Sequence, residues 1–504
     1  MSIVNRSAIS FLGNISKAAC TFLTGILLAR GFGAETYGIY AFLLASFMAI
    51  NTLLELGTSS AFYTFISKKN RSKNFFIYYL FWLFAQFIII VIAIGIVIPD
   101  IWIEQIWKGQ EKNIVLTAFI AIFLQYQIWT LIAQVGESQR LTSRVQILNV
   151  LIAICHLIVI LFLYLLEELS LFTIYYLIMF EFIIAFFISF KLIPIIFSKE
   201  DEKPREIFLE YWVYCMPLIP FAGVNMIMRF SDTWLLQHFG GSVEQAYYAV
   251  SSQFANISLI ATASVLRILW KEVADANEKK NPEIVRELYH RASKILYFFS
   301  VIISGFLIPW VPTIIKLTLG DEYIAGTSVM MLMFLYPIHQ SLGQVVGTMF
   351  YALELTRIYV IIGISFMLIS TISVYFFLAS SDSYIPGLGL GSLGLALKMV
   401  ILQFLGVNFS IWYLARIKGW TYNPLYQIFI MMIFFSIGFL SYFLVSKISF
   451  LSSSLILGFL LSGFLYLVFS IIILYIKPDL IDVSRVEIKE RIYVIFNFLR
   501  NRKA

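Results

Sequence analysis

Six ionisable side chains of this 504-residue chain lie inside long apolar runs: Lys17, Glu55, Glu181, Arg229, Asp232 and Lys398. Facing lipid, each would cost about 2.5 to 3.5 kcal/mol on insertion scales. Six together would cost roughly 18 kcal/mol, more than the 5 to 15 kcal/mol that holds a typical fold together. They are therefore expected to face protein or a watery cavity. There the cations can hold an anionic ligand, and the carboxylates can carry a proton or hold a metal cation.

Helical spacing shows which faces carry them. Ser7, Ser10, Asn14, Lys17, Thr21 and Thr24 step by three and four residues and form one continuous polar stripe. Thr52, Glu55 and Ser59 repeat the pattern, as do Asn225, Arg229 and Asp232, and then Ser252 and Asn256. Each charge also has a purely structural reading. Arg229 and Asp232 are one turn apart and suited to neutralise each other, and Lys17 is placed to pair with Glu55 across two helices. Glu181 has no polar stripe around it, so a buried structural pair or a protonated carboxyl competes with a coupling role. Lys398 has no adjacent acid in sequence. His156 and His339 read as satisfied core residues.

The elements that must position these residues are membrane helices. The chain is 60% apolar and 13% charged, with a mean hydropathy of +0.88, well outside the soluble range. Fourteen stretches, from Ser7–Arg30 to Leu451–Ile476, are long and apolar enough to cross a bilayer. Of the 36 Lys and Arg, twenty-eight fall in alternate gaps between these stretches and only Arg30, Lys108, Lys112, Lys316 and Lys447 in the others. Cations stay on the cytoplasmic side of short loops, so both termini are expected in the cytoplasm. A missed span would mix the two populations, so their separation supports the count.

The net charge of +7 sits beside these spans, where anionic headgroups explain it and nucleic acid does not. Cys20, Cys155 and Cys215 all lie within spans, which argues against a disulfide framework. The first span is read as retained, since Lys17 interrupts its apolar region and no small-residue cleavage site follows. Gaps at Ser198–Glu210 and Lys271–Lys294 are too short for soluble domains. The second of these and the tail from Lys477 to Ala504 read as interfacial helices.

A weak internal repeat places Leu27, Leu28, Gly33, Tyr40 and Ala41 on Leu235, Leu236, Gly241, Tyr248 and Ala249, a shift of 208 residues that also sets His238 on Arg30. Each unit would hold six spans and return to the same side, giving parallel repeats. The expected architecture is all-α and polytopic: six-helix lobes at residues 1–205 and 206–420 around a central cavity, two further helices at 421–476 and a basic tail at 477–504. Pro217, Pro220, Pro309 and Pro312 mark bending points. Enzyme readings fail for want of a metal-ligand cluster, a nucleophile elbow or a large external loop. The glycine run Pro386–Gly394 is read as close helix packing rather than a phosphate loop.

The stretch Leu28-Ala-Arg-Gly-Phe-Gly-Ala-Glu-Thr-Tyr-Gly-Ile-Tyr40, followed by Leu53-Leu-Glu-Leu-Gly57, resembles the opening of the polysaccharide (O-antigen) transporter family, within the multidrug/oligosaccharidyl-lipid/polysaccharide exporter superfamily. Asp232-Thr-Trp-Leu-Leu236 and Ala246-Tyr-Tyr-Ala249 resemble the start of that family's C-terminal lobe. The resemblance implies a flippase of a bacterial cytoplasmic (inner) membrane that moves an undecaprenyl-diphosphate-linked oligosaccharide from the inner to the outer leaflet by alternating access, among membrane lipids and alongside polysaccharide polymerase machinery. On that reading Lys17, Arg30, Arg229 and Lys398 meet the diphosphate, and Glu55, Asp232 and Glu181 couple transport to a proton or sodium gradient without a bound cofactor or metal. Asn14, Thr21, Thr24, Asn225 and Asn256 supply cavity polarity. The alternatives are a peptidoglycan-precursor flippase, a multidrug exporter, and a non-transporting scaffold.

Overall fold

In the computed structural model, residues 3–199, 201–259, 262–448 and 454–480 are described. Among them the regular structure is helical, without strands. This follows from composition, because a lipid-embedded backbone must satisfy its own hydrogen bonds within each segment. In chain order the helices are α1 (Ile3–Glu55), α2 (Thr58–Lys68), α3 (Lys73–Ile92), α4 (Asp100–Ile106), α5 (Lys112–Phe123), α6 (Trp129–Ser138), α7 (Thr142–Leu165), α8 (Leu171–Leu192), α9 (Pro204–Cys215) and α10 (Ile219–Asn256). After them come α11 (Thr262–Glu278), α12 (Pro282–Leu307), α13 (Val311–Thr318), α14 (Thr327–Met333), α15 (Tyr336–Ala352), α16 (Thr356–Leu378), α17 (Gly391–Lys418), α18 (Pro424–Ser446) and α19 (Leu455–Ile476).

Twelve helical stretches among the described residues are long and apolar enough to span a membrane, and two are far too long for one crossing: Ile9–Glu55 and Pro204–Leu259. At 1.5 Å per residue they measure about 70 and 84 Å against a hydrocarbon core of 30 Å. Each is broken at one glycine, Gly33 (φ 72°, ψ 173°) and Gly241 (φ 80°, ψ −176°). Only glycine adopts that backbone without strain. Two crossings in each broken stretch bring twelve to the fourteen expected. The breaks are 208 residues apart, so the weak repeat of the sequence returns as the same backbone device used twice.

Contacts divide the chain into two compact units. The first comprises Met1–Val250 and Met367–Lys398. Its interior is aromatic: Phe47 stacks on Trp107 at 5.7 Å, and Phe62 on Tyr79 at 4.1 Å. Arg71, 4% exposed, ties the α2–α3 link to α9, donating to Glu210 through both terminal nitrogens and meeting Glu202 at 3.1 Å through Nε. The second unit comprises Ser251–Phe366 and Met399–Ala504. In it α18 lies against α12 so closely that a Cβ on Gly438 would enter the carbonyl of Gly305. Beside this contact α19 is anchored by Tyr466 Oη donating to Ile302 O (3.0 Å) and by Trp310 Nε1 donating to Ser462 Oγ (3.2 Å).

Prolines interrupt two spans as expected, with 3₁₀ turns at Met216–Leu218 and Ile308–Trp310. Two expectations change. Lys271–Lys294 is no interfacial helix; it is the charged ends of α11 and α12, joined by a turn in which Lys280 takes φ 55° and the Asn281 side chain caps Ile284 N. Most of the glycine run at 386–394 is loop, with Gly389 and Gly391 at positive φ, and Gly394 packs helix to helix, against Phe377 O. From residue 481 onward the tail expected at 477–504 lies outside the described residues.

Candidate functional site

Among the described residues the most deeply buried cation is Lys398 on α17, 0% exposed. Its Nζ donates to both carboxylate oxygens of Asp232 on α10, at 2.6 and 2.7 Å. The two residues are 166 positions apart, which is why no neighbouring acid was visible for Lys398. Arg229, one turn before Asp232, does not close an ion pair within its own helix. Its Nε donates to Asn225 Oδ1 at 3.0 Å, and its side chain stays exposed. The expected stripe of Asn225, Arg229 and Asp232 is therefore real, but its two ends do different things.

Glu55 is the last residue of α1, and the two that follow, Leu56 (φ 46°) and Gly57 (φ 81°), are both left-handed. A span that should run on is thus cut immediately after its carboxylate, and the Thr58 hydroxyl donates back to Glu55 O at 2.6 Å. Trp82 Nε1 in turn donates to Thr58 Oγ1 at 3.1 Å. The open carbonyls of a helix C-terminus and a carboxylate at one point favour a cation there. Gln127 lies beside Glu55 and belongs to a π-helical turn, Leu124–Ile128, that interrupts the span of α5 and α6. Such turns gather at functional sites.

Asn14, Lys17 and Thr21 on the first half of α1 are exposed along one face, while Thr24 on the same stripe is buried with an unpartnered hydroxyl. Among the described residues Lys17 and Glu55 form no ion pair, so the proposed lock between them is absent. Arg30 is exposed three residues before the Gly33 break, and Asn256 is exposed at the end of α10. Glu181 finds a partner in His156, whose Nδ1 lies 2.7 Å from its Oε2. That part-buried pair joins α7 to α8.

Three features had no signal in the sequence reading. Lys108 contacts His238 Nδ1 and lies 4.6 Å from the Trp234 ring centroid, and Trp234 Nε1 donates to Ile106 O at 2.9 Å. Burial lowers the Lys108 ammonium from its ordinary value. Near the Gly241 break, Gly38 meets Ser242 backbone to backbone with no room for a Cβ. Glu244 accepts from Ser392 N at 2.7 Å and from its hydroxyl, capping the start of α17. Among the described residues no three His, Cys, Asp or Glu side chains gather closely enough to hold a metal ion.

Solved structures share this architecture. The chain is similar to the lipid II flippase MurJ in an inward closed conformation, at 17% identity and a TM-score of 0.65 over 94% of this chain and 99% of that one. An inward-facing multidrug resistance transporter of the MATE family, MOP superfamily, is 14% identical with a TM-score of 0.63, over 82% of this chain and 99% of that one. A MOP superfamily transporter from Pyrococcus furiosus is 16% identical with a TM-score of 0.56, over 82% and 96%. At these identities the likeness is one of fold. No curated protein matches the sequence. Residues 3–270, just over half of the chain, match the family described as polysaccharide biosynthesis protein. The chain, a multi-pass helical membrane protein with the fold of the MOP transporters, belongs to the polysaccharide biosynthesis protein family.

Proposed function

We propose that the chain is a flippase that carries an undecaprenyl-diphosphate-linked oligosaccharide, of O-antigen type, from the cytoplasmic to the outer leaflet of a bacterial cytoplasmic membrane. Its lobes, residues 1–205 and 206–420, alternate access, and both termini are cytoplasmic. The observation that carries the reading is that Lys17 and Arg229, cations within apolar helices, stay exposed while Lys398 is neutralised. An exposed ammonium or guanidinium at that depth is tolerable only where water reaches it. A sugar diphosphate needs that hydrated, cationic path, whereas its polyprenyl tail can stay in lipid.

Lys17, Arg30 and Arg229 meet the diphosphate first. Lys398 joins them when Asp232 lets it go, and a proton arriving on Asp232 does this by removing the charge that holds the ammonium. Coupling then resides in Asp232, with Glu55 at its helix break as a second cation-attracting point and the Glu181–His156 pair as a third. The flipped unit passes to polymerase machinery on the outer face.

The test locates the lipid-linked oligosaccharide after the chain is depleted from cells. Build-up on the cytoplasmic leaflet, unrelieved by a Lys17→Gln/Arg229→Gln variant that still folds, supports flipping. Normal export from depleted cells ends the proposal, and so does export restored in full by that variant.

A further inference from the structure

Two polar stripes of the first unit meet around Glu55. Asn51, Glu55 and Ser59 follow at four-residue steps from α1 into α2, and Gln127 and Gln134 are seven residues apart on the span of α5 and α6. Gln134 Nε2 donates to Ser59 Oγ at 2.9 Å, and Gln127 lies beside Glu55. The stripes therefore face each other in parallel register, which leaves Asn51 one turn from the carboxylate on one side and Gln134 on the other. These are costly places for amides. Asn51 is 5% exposed, and neither its Oδ1 nor its Nδ2 has a hydrogen-bond partner. Gln127 is 3% exposed, and Gln134 Oε1 is buried without a partner. Glu55 closes no ion pair among the described residues. Buried amides left unengaged are rare in folded proteins, and each calls for something to engage it.

We infer that Asn51, Glu55, Gln127 and Gln134 hold a sodium ion, which deepens the coupling role proposed for Glu55 and rests on it. A proton would use the carboxylate alone and leave the amide oxygens idle. An alkali ion engages carboxylate and amide oxygens together, as hard cations do. A divalent ion asks for more charge than one carboxylate supplies, and among the described residues no three His, Cys, Asp or Glu side chains gather. The high field of a carboxylate favours the smaller sodium over potassium. Both interruptions of the helical ladder, the broken end of α1 and the π-helical turn Leu124–Ile128, also fall beside this group. Interrupted membrane helices are where sodium is held.

The test is the thermal unfolding midpoint of the full chain purified in one detergent, measured in sodium chloride and in choline chloride at equal ionic strength and pH. Sodium is expected to raise the midpoint, by roughly 5 °C when present at about 100 times its dissociation constant, and potassium should raise it by much less. Asn51→Leu and Glu55→Gln should each remove most of the difference between the salts. Each protein is compared with itself, so a variant that is merely less stable still reports. Asp275→Asn neutralises an exposed carboxylate of the second unit, paired with Lys279, and keeps the full difference. Equal midpoints in sodium and choline chloride overturn the inference, as does a full sodium shift in Glu55→Gln. An equal shift in potassium chloride overturns it in favour of an unselective salt effect. The readout needs no transport, so a failed sodium site leaves the flipping test standing, and failed flipping leaves sodium binding intact.

Discussion

Replacing Asp232 by Asn removes the charge that neutralises Lys398 while keeping the shape of the side chain. Lys398 is 0% exposed and Asp232 16% exposed, with the ammonium 2.6 and 2.7 Å from the two oxygens. Breaking a pair of this kind from one side strands a buried charge and costs about 3 to 5 kcal/mol. A unit of this size loses about 2 °C of melting temperature per kcal/mol, so Asp232→Asn is expected to lower the unfolding midpoint by roughly 6 to 10 °C. Removing both charges with Asp232→Asn/Lys398→Met takes away the stranded ammonium and should recover most of that loss, since a buried pair is often worth little against an apolar replacement. The assay is thermal unfolding of purified protein in one detergent, read as a double-mutant cycle. A double variant no more stable than Asp232→Asn, with a coupling energy below about 0.5 kcal/mol, would refute both the pairing and the release of Lys398 proposed for coupling.

Other consequences are quicker to check. Gly33→Ala and Gly241→Ala each force a side chain into a backbone region reserved for glycine and should cost about 1 to 3 kcal/mol apiece, read as lowered unfolding midpoints; a neutral result at either would deny it the breaking role. Gly38→Val should be worse than Gly363→Val, because the first drives a side chain against the Ser242 carbonyl whereas a Cβ at Gly363 meets nothing within 4 Å. A chain lacking Cys20, Cys155 and Cys215 but carrying a cysteine at Lys69 should react with an impermeant maleimide only after cells are opened, whereas one at Gly109 should react in intact cells. The reverse pattern would invert the charge-based topology.

Much of the fold was legible because it rests on one-dimensional signals. Apolar length yields the spans, and the alternation of cations sets an expectation of their sense. The repeat marked Gly33 and Gly241 as equivalent, although only coordinates show that both leave helical geometry in the same way. The sequence names candidate side chains but not their pairings. Asp232 and Lys398 lie 166 residues apart, and nothing local to either records the other. Spacing suggested Arg229 for Asp232 and Lys17 for Glu55, and both guesses failed for one reason: helical periodicity reports which residues share a face, not which helix that face meets. Glu181 and His156 were separately noticed, but their pairing across α7 and α8 was beyond reach.

The backbone irregularities carry a further step. Inside a bilayer an interrupted helix must have its freed groups satisfied by protein or water. Here the break at Leu56–Gly57 falls directly after Glu55, and Thr58 takes up the released carbonyl. The neighbouring π-helical turn contains Gln127, the residue beside that same carboxylate. Two defects in adjacent spans thus meet at one ionisable group. Independent packing accidents have no reason to coincide on a carboxylate, whereas a cation point needs both, because oxygen ligands become available only where the helical ladder is open. On the proposed function, Gly57→Ala, which strains the break and sets a Cβ 2.7 Å from Leu218 Cδ1, should weaken ion-dependent export of lipid-linked oligosaccharide as strongly as Glu55→Gln does. Export that loses its ion dependence in Glu55→Gln but keeps it in Gly57→Ala would separate the carboxylate from the break.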